Sequence, residues 1–323
     1  MIRRPSLVAV LIGTCCFAQT GSQSPATKLD VRLFAADAKD APPPERAAPK
    51  EAMVEEGFEK PKPAITVQTY FKGLDPKTEV YARTFDPREV FRGKASLRVD
   101  VPKGEHNAVQ VIDYAVKDGA DRLFLRTCLR FPETFRVEPS CELKLIGLTA
   151  APPPERKAAA DHKAGDRPDG TDYFSARFAI GRDHRFQLLT YHPEQVGGYA
   201  DHIDLGAPVV WGKWVCLELE LRANTVEPAT KELLAKRPAL KSLVRGDHVV
   251  HEDGAIRCWI DGRLRAEARN VRFRHVPDLK IRRAGSFPYF GGAGERNTSP
   301  QAQTFWVDDF AVSPSYLGPP TKP

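Results

Sequence analysis

Four side chains suited to acid–base chemistry on an anion fall on three short segments of alternating apolar and polar residues. They are Lys144 in "CELKLIGL", Ser175 and Arg177 in "YFSARFAI", and Tyr191 in "FQLLTYH". In an extended strand, successive side chains point to opposite faces. Phe174, Phe178 and Ile180 therefore take one face, and Ser175 and Arg177 stand together on the other. The same parity separates Leu143 and Leu145 from Glu142 and Lys144, and Phe186 and Leu188 from Gln187, Leu189 and Tyr191. Arginine holds a carboxylate through two parallel hydrogen bonds, and lysine adds a point charge. Neutralising a carboxylate acidifies the proton on the adjacent carbon. A phenol beside that carbon serves as general base, or as the acid for a leaving oxygen. On a sugar acid, that chemistry is β-elimination. Each of these polar residues taken singly is better read as part of a solvated strand face; only their combination points to a site.

The elements that must position these residues are strands. "ASLRVDV", "AVQVIDYAV", "RLFLRTCLRF", "CELKLIGL", "YFSARFAI", "FQLLTYH", "WVCLELELR", "AIRCWIDG" and "TFWVDDFAV" all carry strand patterning, bounded by turn signals such as "KDG" and "EDG". Many strands with almost no helix predict an all-β, jelly-roll β-sandwich of the concanavalin A-like kind over 64–317. Two excursions interrupt it. Residues 149–172 form a long polar loop, and 227–254 contain one short helical insertion that starts near Pro228 and breaks at Pro238. Residues 19–63 are rich in Ala, Pro, Lys and Glu and poor in large apolar residues, which predicts a flexible linker.

The opening "MIRRPSLVAVLIGTCCFA" has a basic start, an apolar run from Leu7 to Phe17 and a small residue at Ala18. This is the pattern of a signal peptide over 1–18, and it predicts a secreted or periplasmic protein with no membrane span. Anchoring through a lipidated Cys15 or Cys16 is the weaker reading, because Thr14 precedes Cys15. Of the formal net charge of +6, Arg3 and Arg4 supply two, so the chain after Ala18 carries +4. That balance suits an acidic polymer. Export and the lack of any basic helix or finger pattern argue against nucleic acid. Four cysteines remain after Ala18, namely Cys128, Cys141, Cys216 and Cys258. They allow three pairings into two disulfides, or four free thiols, and their spacing matches no zinc pattern.

The segment "LFLRTCLRFPETFRVEPSCELKLIGL" resembles the "F-P-x-x-F … G-G-K-L-P-G-L" stretch of the jelly-roll polysaccharide lyases of families 14 and 20, which act on alginate and glucuronan. "YFSARFAI" is similar to their Ser-x-Arg strand, and "FQLLTYHPEQ" to the Tyr-x-Tyr-x-P strand that follows. "WVCLELELRANT", "DGAIRCWIDGRL" and "FPYFGGAGERNTSPQAQTFWVDDFAVS" resemble, in order, their "W … x-x-N-T", "D-G-x-x-x-W-x-D-G" and "T-F-F-G-G … F-D-x-F" segments. The likeness runs in order from Leu123 to Ser313. It implies that Lys144, Ser175, Arg177 and Tyr191 occupy the catalytic positions on the concave face of a sheet, with Gln187 and Leu189 beside them in contact with an acidic polysaccharide. No cofactor is implied.

This chain departs from the pattern within its motifs, and its loop after Leu148 and its excursion at 227–254 are longer than the pattern implies. Leu189 replaces the first tyrosine of the pair, Cys141-Glu142 replaces Gly-Gly, and Ile146 replaces the proline. The loss of one tyrosine removes a substrate contact, shifts acid–base work wholly to Tyr191, or marks a non-catalytic carbohydrate-binding jelly roll. Glu142 disfavours an anionic ligand unless it is paired. A glycoside hydrolase would need two carboxylates across one cleft, whereas Glu218 and Glu220 lie on one strand face. The histidines of "HVVHEDG" lack a third ligand and belong to a loop rather than a metal site.

Overall fold

A computed structural model describes residues 29–35, 52–69, 82–106, 110–139, 141–156, 166–291 and 297–320. The signal-peptide segment 1–18 lies outside the described residues. Along the chain come β1 (Asp30–Leu33), β2 (Val54–Glu56), β3 (Thr66–Thr69), β4 (Arg83–Thr84), β5 (Ser96–Val101) and β6 (Gln110–Ala120). Next are β7 (Arg122–Arg130), β8 (Glu142–Ala151), β9 (Phe174–Ile180), β10 (Arg185–Tyr191), β11 (Asp201–Pro208) and β12 (Trp214–Arg222). The insertion holds β13 (Val226–Pro228), α1 (Lys231–Lys236), a 3-10 turn (Pro238–Leu243), β14 (Val244–Arg245) and β15 (His248–Val250). The chain closes with β16 (Gly254–Ile260), β17 (Arg263–Val271), β18 (Lys280–Gly291) and β19 (Gln303–Ser313).

Two large antiparallel sheets pack face to face. One has the order β1-β17-β16-β12-β7-β19-β5-β4, with β2 also paired to β19; the other runs β11-β10-β9-β8-β18-β6-β3. Alternation builds the layer between them. Leu217, Leu219 and Leu221 from β12 join Phe174, Phe178 and Ile180 from β9 and Leu143 and Leu148 from β8 in one buried apolar cluster. Fully burying a side chain of this size contributes about 1.5–3 kcal/mol, so the parity of each strand is set by which residues reach this layer. The predicted all-β jelly-roll architecture stands.

Within 19–63, the described residues 29–35 and 52–63 depart from the expectation of a flexible linker; the rest of that stretch lies outside the described residues. β1 pairs with β17 through Asp30↔Arg269 to Leu33↔Ala266, and β2 pairs with β19 through Glu56↔Phe310 to Val54↔Val312. Phe34 and Phe58 are buried. Strands of three or four residues are invisible in an Ala/Pro-rich window because their partners lie far along the chain. The short β3 and β4 and the longer β11, β17 and β18 also escaped the sequence pattern. β11 reads "DHIDLGAP", where Ile203, Leu205 and Ala207 reach the core but Asp, Gly and Pro between them look like a turn.

The helical insertion is as expected in position, though shorter. Thr230 caps α1 by accepting the Leu233 N–H at 3.1 Å, and the helix ends at Arg237, before Pro238. No helix among the described residues is long and apolar enough to cross a membrane.

Cys128 and Cys216 face each other across β7 and β12 and form a disulfide, while Cys141 and Cys258 are buried and not disulfide-bonded. Mass spectrometry after alkylation is expected to show two of these four cysteines modified only once the protein is unfolded. The other two should react only after reduction as well. Alkylation of Cys128 in the unfolded, unreduced protein would refute the pairing.

Candidate active site

The outer face of the seven-stranded sheet gathers the polar residues that the core layer excludes. β-Bulges make the arrangement possible. Between β8 and β9 the register shifts from Lys144↔Ala179 to Gly147↔Arg177, so Leu145 and Ile146 both enter the core and Gly147 returns to the outer face. Three rows result. Tyr289, Lys144, Ala179 and Gln187 line up across four strands; Gly147, Arg177, Leu189 and His202 form the next row; Thr149, Ser175 and Tyr191 form the third. The structure therefore brings Lys144, Ser175, Arg177, Gln187 and Tyr191 onto one floor, with neighbouring strands about 4.8 Å apart and rows about 7 Å apart.

Two glycines leave room for the charged groups. A Cβ at Gly147 would lie 2.7 Å from the Arg177 Cβ and 2.9 Å from the Ala176 carbonyl oxygen. A Cβ at Gly291 would meet the Glu142 Cγ at 2.7 Å and the Lys144 Cε at 2.8 Å.

The cations differ in how they are held. Lys144 Nζ lies 3.3 Å from Glu142 Oε1 and 5.0 Å from the centre of the Tyr289 ring. Burial alone would lower the lysine's pKa, but Tyr289, Glu142 and Tyr191 outweigh it and raise the value, so Lys144 stays an ammonium ion. The Arg177 guanidinium lies 5.8 Å from the same ring centre and has no carboxylate partner among the described residues. Glu142, the departure that threatened an anionic ligand, is paired on both sides. Its other oxygen lies 3.2 Å from Nδ1 of His202. Burial holds the His202 pKa below its ordinary value of 6.5, helped by Lys144 and Arg182 and opposed by Glu142 and Asp201. The imidazole is therefore neutral at pH 7.

Tyr191 sits at the end of β10 with its ring centre 5.6 Å from that of Tyr173. Burial raises its pKa, against the pull of the Lys144 ammonium and the Ala200 N–H, so the phenol keeps its proton. Ser175 is buried, and its carbonyl accepts the Thr190 hydroxyl at 3.0 Å. Leu189 requires a correction. It is only 1% exposed and packs with Ala179, Ala200 and Tyr191, so it supports the tyrosine from below instead of offering a surface to a ligand. Tyr289 and His202 were missed. Tyr289 stands in "FPYFGG" where the family pattern has phenylalanine, and His202 becomes visible only once β11 is recognised as a strand.

Other candidates are structural. His192 is fully buried on the opposite face, with Nε2 2.9 Å from an Asp201 carboxylate oxygen. His251 pairs with Glu227 at 2.7 Å, tying β15 to β13. Glu220 is clamped between Arg122 at 2.7 Å and Arg257 at 3.0 Å. Glu218 accepts the N–H groups of Leu317 and Gly318 at 2.8 and 3.0 Å, fastening the C-terminal segment over the sheet. Neither carboxylate faces a cleft that could hold a glycosidic bond, so the hydrolase reading loses its acid and base.

No family model matches the chain, and no curated relative does. Solved structures do. The marine PL-14 alginate lyase from Aplysia kurodai superposes with a TM-score of 0.52 at 16% identity, covering 75% of this chain and 88% of that one. The endo-beta-1,4-glucuronan lyase from the fungus Trichoderma reesei gives 0.52 at 15% identity, over 81% and 95%. The alginate lyase vAL-1 from Chlorella virus gives 0.50 at 16%, over 73% and 90%. This is the jelly-roll fold of the polysaccharide lyases. The resemblance drawn from the motifs thus holds at the level of the fold.

Two outcomes follow from these contacts. Gly147→Ala is expected to displace Arg177 or the Ala176 carbonyl and lower the melting temperature by several degrees; an unchanged melt would show that the strands separate freely there. Burial also lifts Glu218 to about 7 from 4.5, and Asp308 to about 7 from 3.8, because the neutral acids are favoured in the fold. Their stabilising contribution is complete below the ordinary carboxylate values and is lost as pH rises through about 7. Thermal melts are expected to fall between pH 5 and pH 8, and to fall less in Glu218→Gln.

Proposed function

We propose that this chain is an exported polysaccharide lyase that cleaves a uronic-acid-containing polysaccharide of the alginate or glucuronan type by β-elimination. The observation that carries this reading is the Arg177 guanidinium, half-buried and without an acidic partner among the described residues, beside the Lys144 ammonium and the Tyr191 phenol. Arg177 and Lys144 receive the uronate carboxylate, and Ser175 marks the end of the floor where Tyr191 stands. Charge neutralisation there makes the proton on C5 removable. Tyr191, which keeps its proton, donates it to the O4 oxygen that leaves. An alginate lyase of similar fold, 18% identical with a TM-score of 0.50, has been solved with an alginate trisaccharide bound, which supports an acidic polysaccharide as ligand. The signal-like segment 1–18 fits a polymeric substrate met outside the cytoplasm.

A second reading rests on one residue. Leu189 puts an apolar side chain where the related pattern has a tyrosine, as in a domain that binds the polymer without cutting it.

Ultraviolet absorbance separates the two, because elimination leaves a double bond conjugated to the carboxylate. With alginate and glucuronan as substrates, the lyase gives a rising signal. Tyr191→Phe is expected to lower kcat by ~10²–10⁴-fold, and Arg177→Ala to lower kcat/KM by ~10–100-fold, as for loss of a charged hydrogen bond. Saturable binding with no absorbance change would establish the binding domain instead.

A further inference from the structure

Elimination needs a base as well as an acid, and the two residues nearest the proposed carboxylate site both hold their protons. Lys144 is an ammonium ion fixed between Glu142 and Tyr289, and Tyr191 is a buried phenol. A third group meets the need. His202 lies on the edge strand β11, with its side chain 27% exposed on the same outer face. It stands opposite Leu189, which in turn stands opposite Arg177. Two strand spacings separate the backbones of Arg177 and His202, about 10 Å, and the side chain between them is the low, buried Leu189. A sugar ring with its carboxylate on Arg177 can therefore present its α-carbon toward the imidazole. The loss of the tyrosine at 189 opens this line.

We propose that His202, oriented by Glu142, is the general base that removes the proton α to the substrate carboxylate; this rests on the lyase reading above. Glu142 accepts the Nδ1–H of His202, which fixes the tautomer and leaves the Nε2 lone pair for the substrate. The same carboxylate is balanced by Lys144, so it does not repel the polymer. In the step, Nε2 takes the C5 proton and the C5–H electron pair becomes the C4=C5 bond. The C4–O4 bond breaks, and O4 takes the Tyr191 proton. The imidazolium returns its proton to the Tyr191 phenolate through water, so nothing is consumed and two shorter chains result, one of them unsaturated. The groups facing His202 agree with this role. Burial, Lys144 on β8 and Arg182 in the β9–β10 turn favour the neutral base, against Glu142 on β8 and the adjacent Asp201.

The test is the pH dependence of elimination on alginate and glucuronan by the full protein and its variants, with oligosaccharide binding as the check that each variant is folded. In the wild type, activity is expected to rise with pH along an acid limb lying below 6.5, where the imidazole gives up its proton. His202→Gln should abolish that limb and lower kcat by ~10²–10⁴-fold with KM near the wild-type value. Glu142→Gln keeps an acceptor for Nδ1 but removes the charge that favours imidazolium. Its acid limb is expected at still lower pH, with more turnover than in Glu142→Ala. Wild-type turnover undiminished in His202→Gln, or an acid limb that persists in it, overturns the base alone. No unsaturated product from the wild type on either polymer overturns the lyase reading, and the base with it.

Discussion

The apolar layer between the two large sheets is the constraint on which the rest of the molecule depends. Once Phe174, Phe178 and Ile180 are committed to it, Ser175 and Arg177 have no choice of face, and the same holds for Lys144 against Leu143 and for Tyr191 against Leu188. A one-residue slip in any of these strands would bury a charge without a partner, at a cost of several kcal/mol. Core packing and site assembly are thus a single event. The bulge in β8 is the exception that completes it: two successive core residues, Leu145 and Ile146, return Gly147 to the outer face where the stem of Arg177 needs space.

Charge on the floor is arranged as a chain and not as a patch. Lys144, Glu142 and His202 connect in sequence through contacts of 3.3 and 3.2 Å, while Arg177 shares the Tyr289 ring with Lys144 and joins no ion pair among the described residues. The carboxylate in the middle touches both neighbours. After Tyr289 it helps to keep the lysine protonated, and it lies 3.2 Å from Nδ1 of a neutral imidazole. The opposite sheet has a different logic. Its outer face carries the ladder Arg122–Glu220–Arg257–Glu267–Arg269, in which every acid is satisfied by arginine. Such closed networks hold strands in place and leave no group for chemistry.

Period-2 alternation made the fold class and much of the candidate site's placement readable from the amino-acid order. It placed Lys144, Ser175, Arg177, Gln187 and Tyr191 on polar strand faces, and the order of motifs from Leu123 to Ser313 pointed to a lyase-like jelly roll. Where the pattern was diluted, it misled. β1 and β2 hide in an Ala/Pro-rich stretch because each is stabilised by a partner strand distant in sequence; β11 pairs with the preceding β10 and hides because Asp, Gly and Pro punctuate its run.

What the amino-acid order determined by itself was facing, since the side-chain period of a strand is local and needs no partner. What only the tertiary structure decided was adjacency. That Glu142 is paired and not free, that Leu189 is buried beneath Tyr191, that Tyr289 underlies both cations, and that His202 shares their floor all depend on which strands neighbour one another and in what register. Register is set by the whole apolar layer and its bulges acting together. No window of a few residues contains that information.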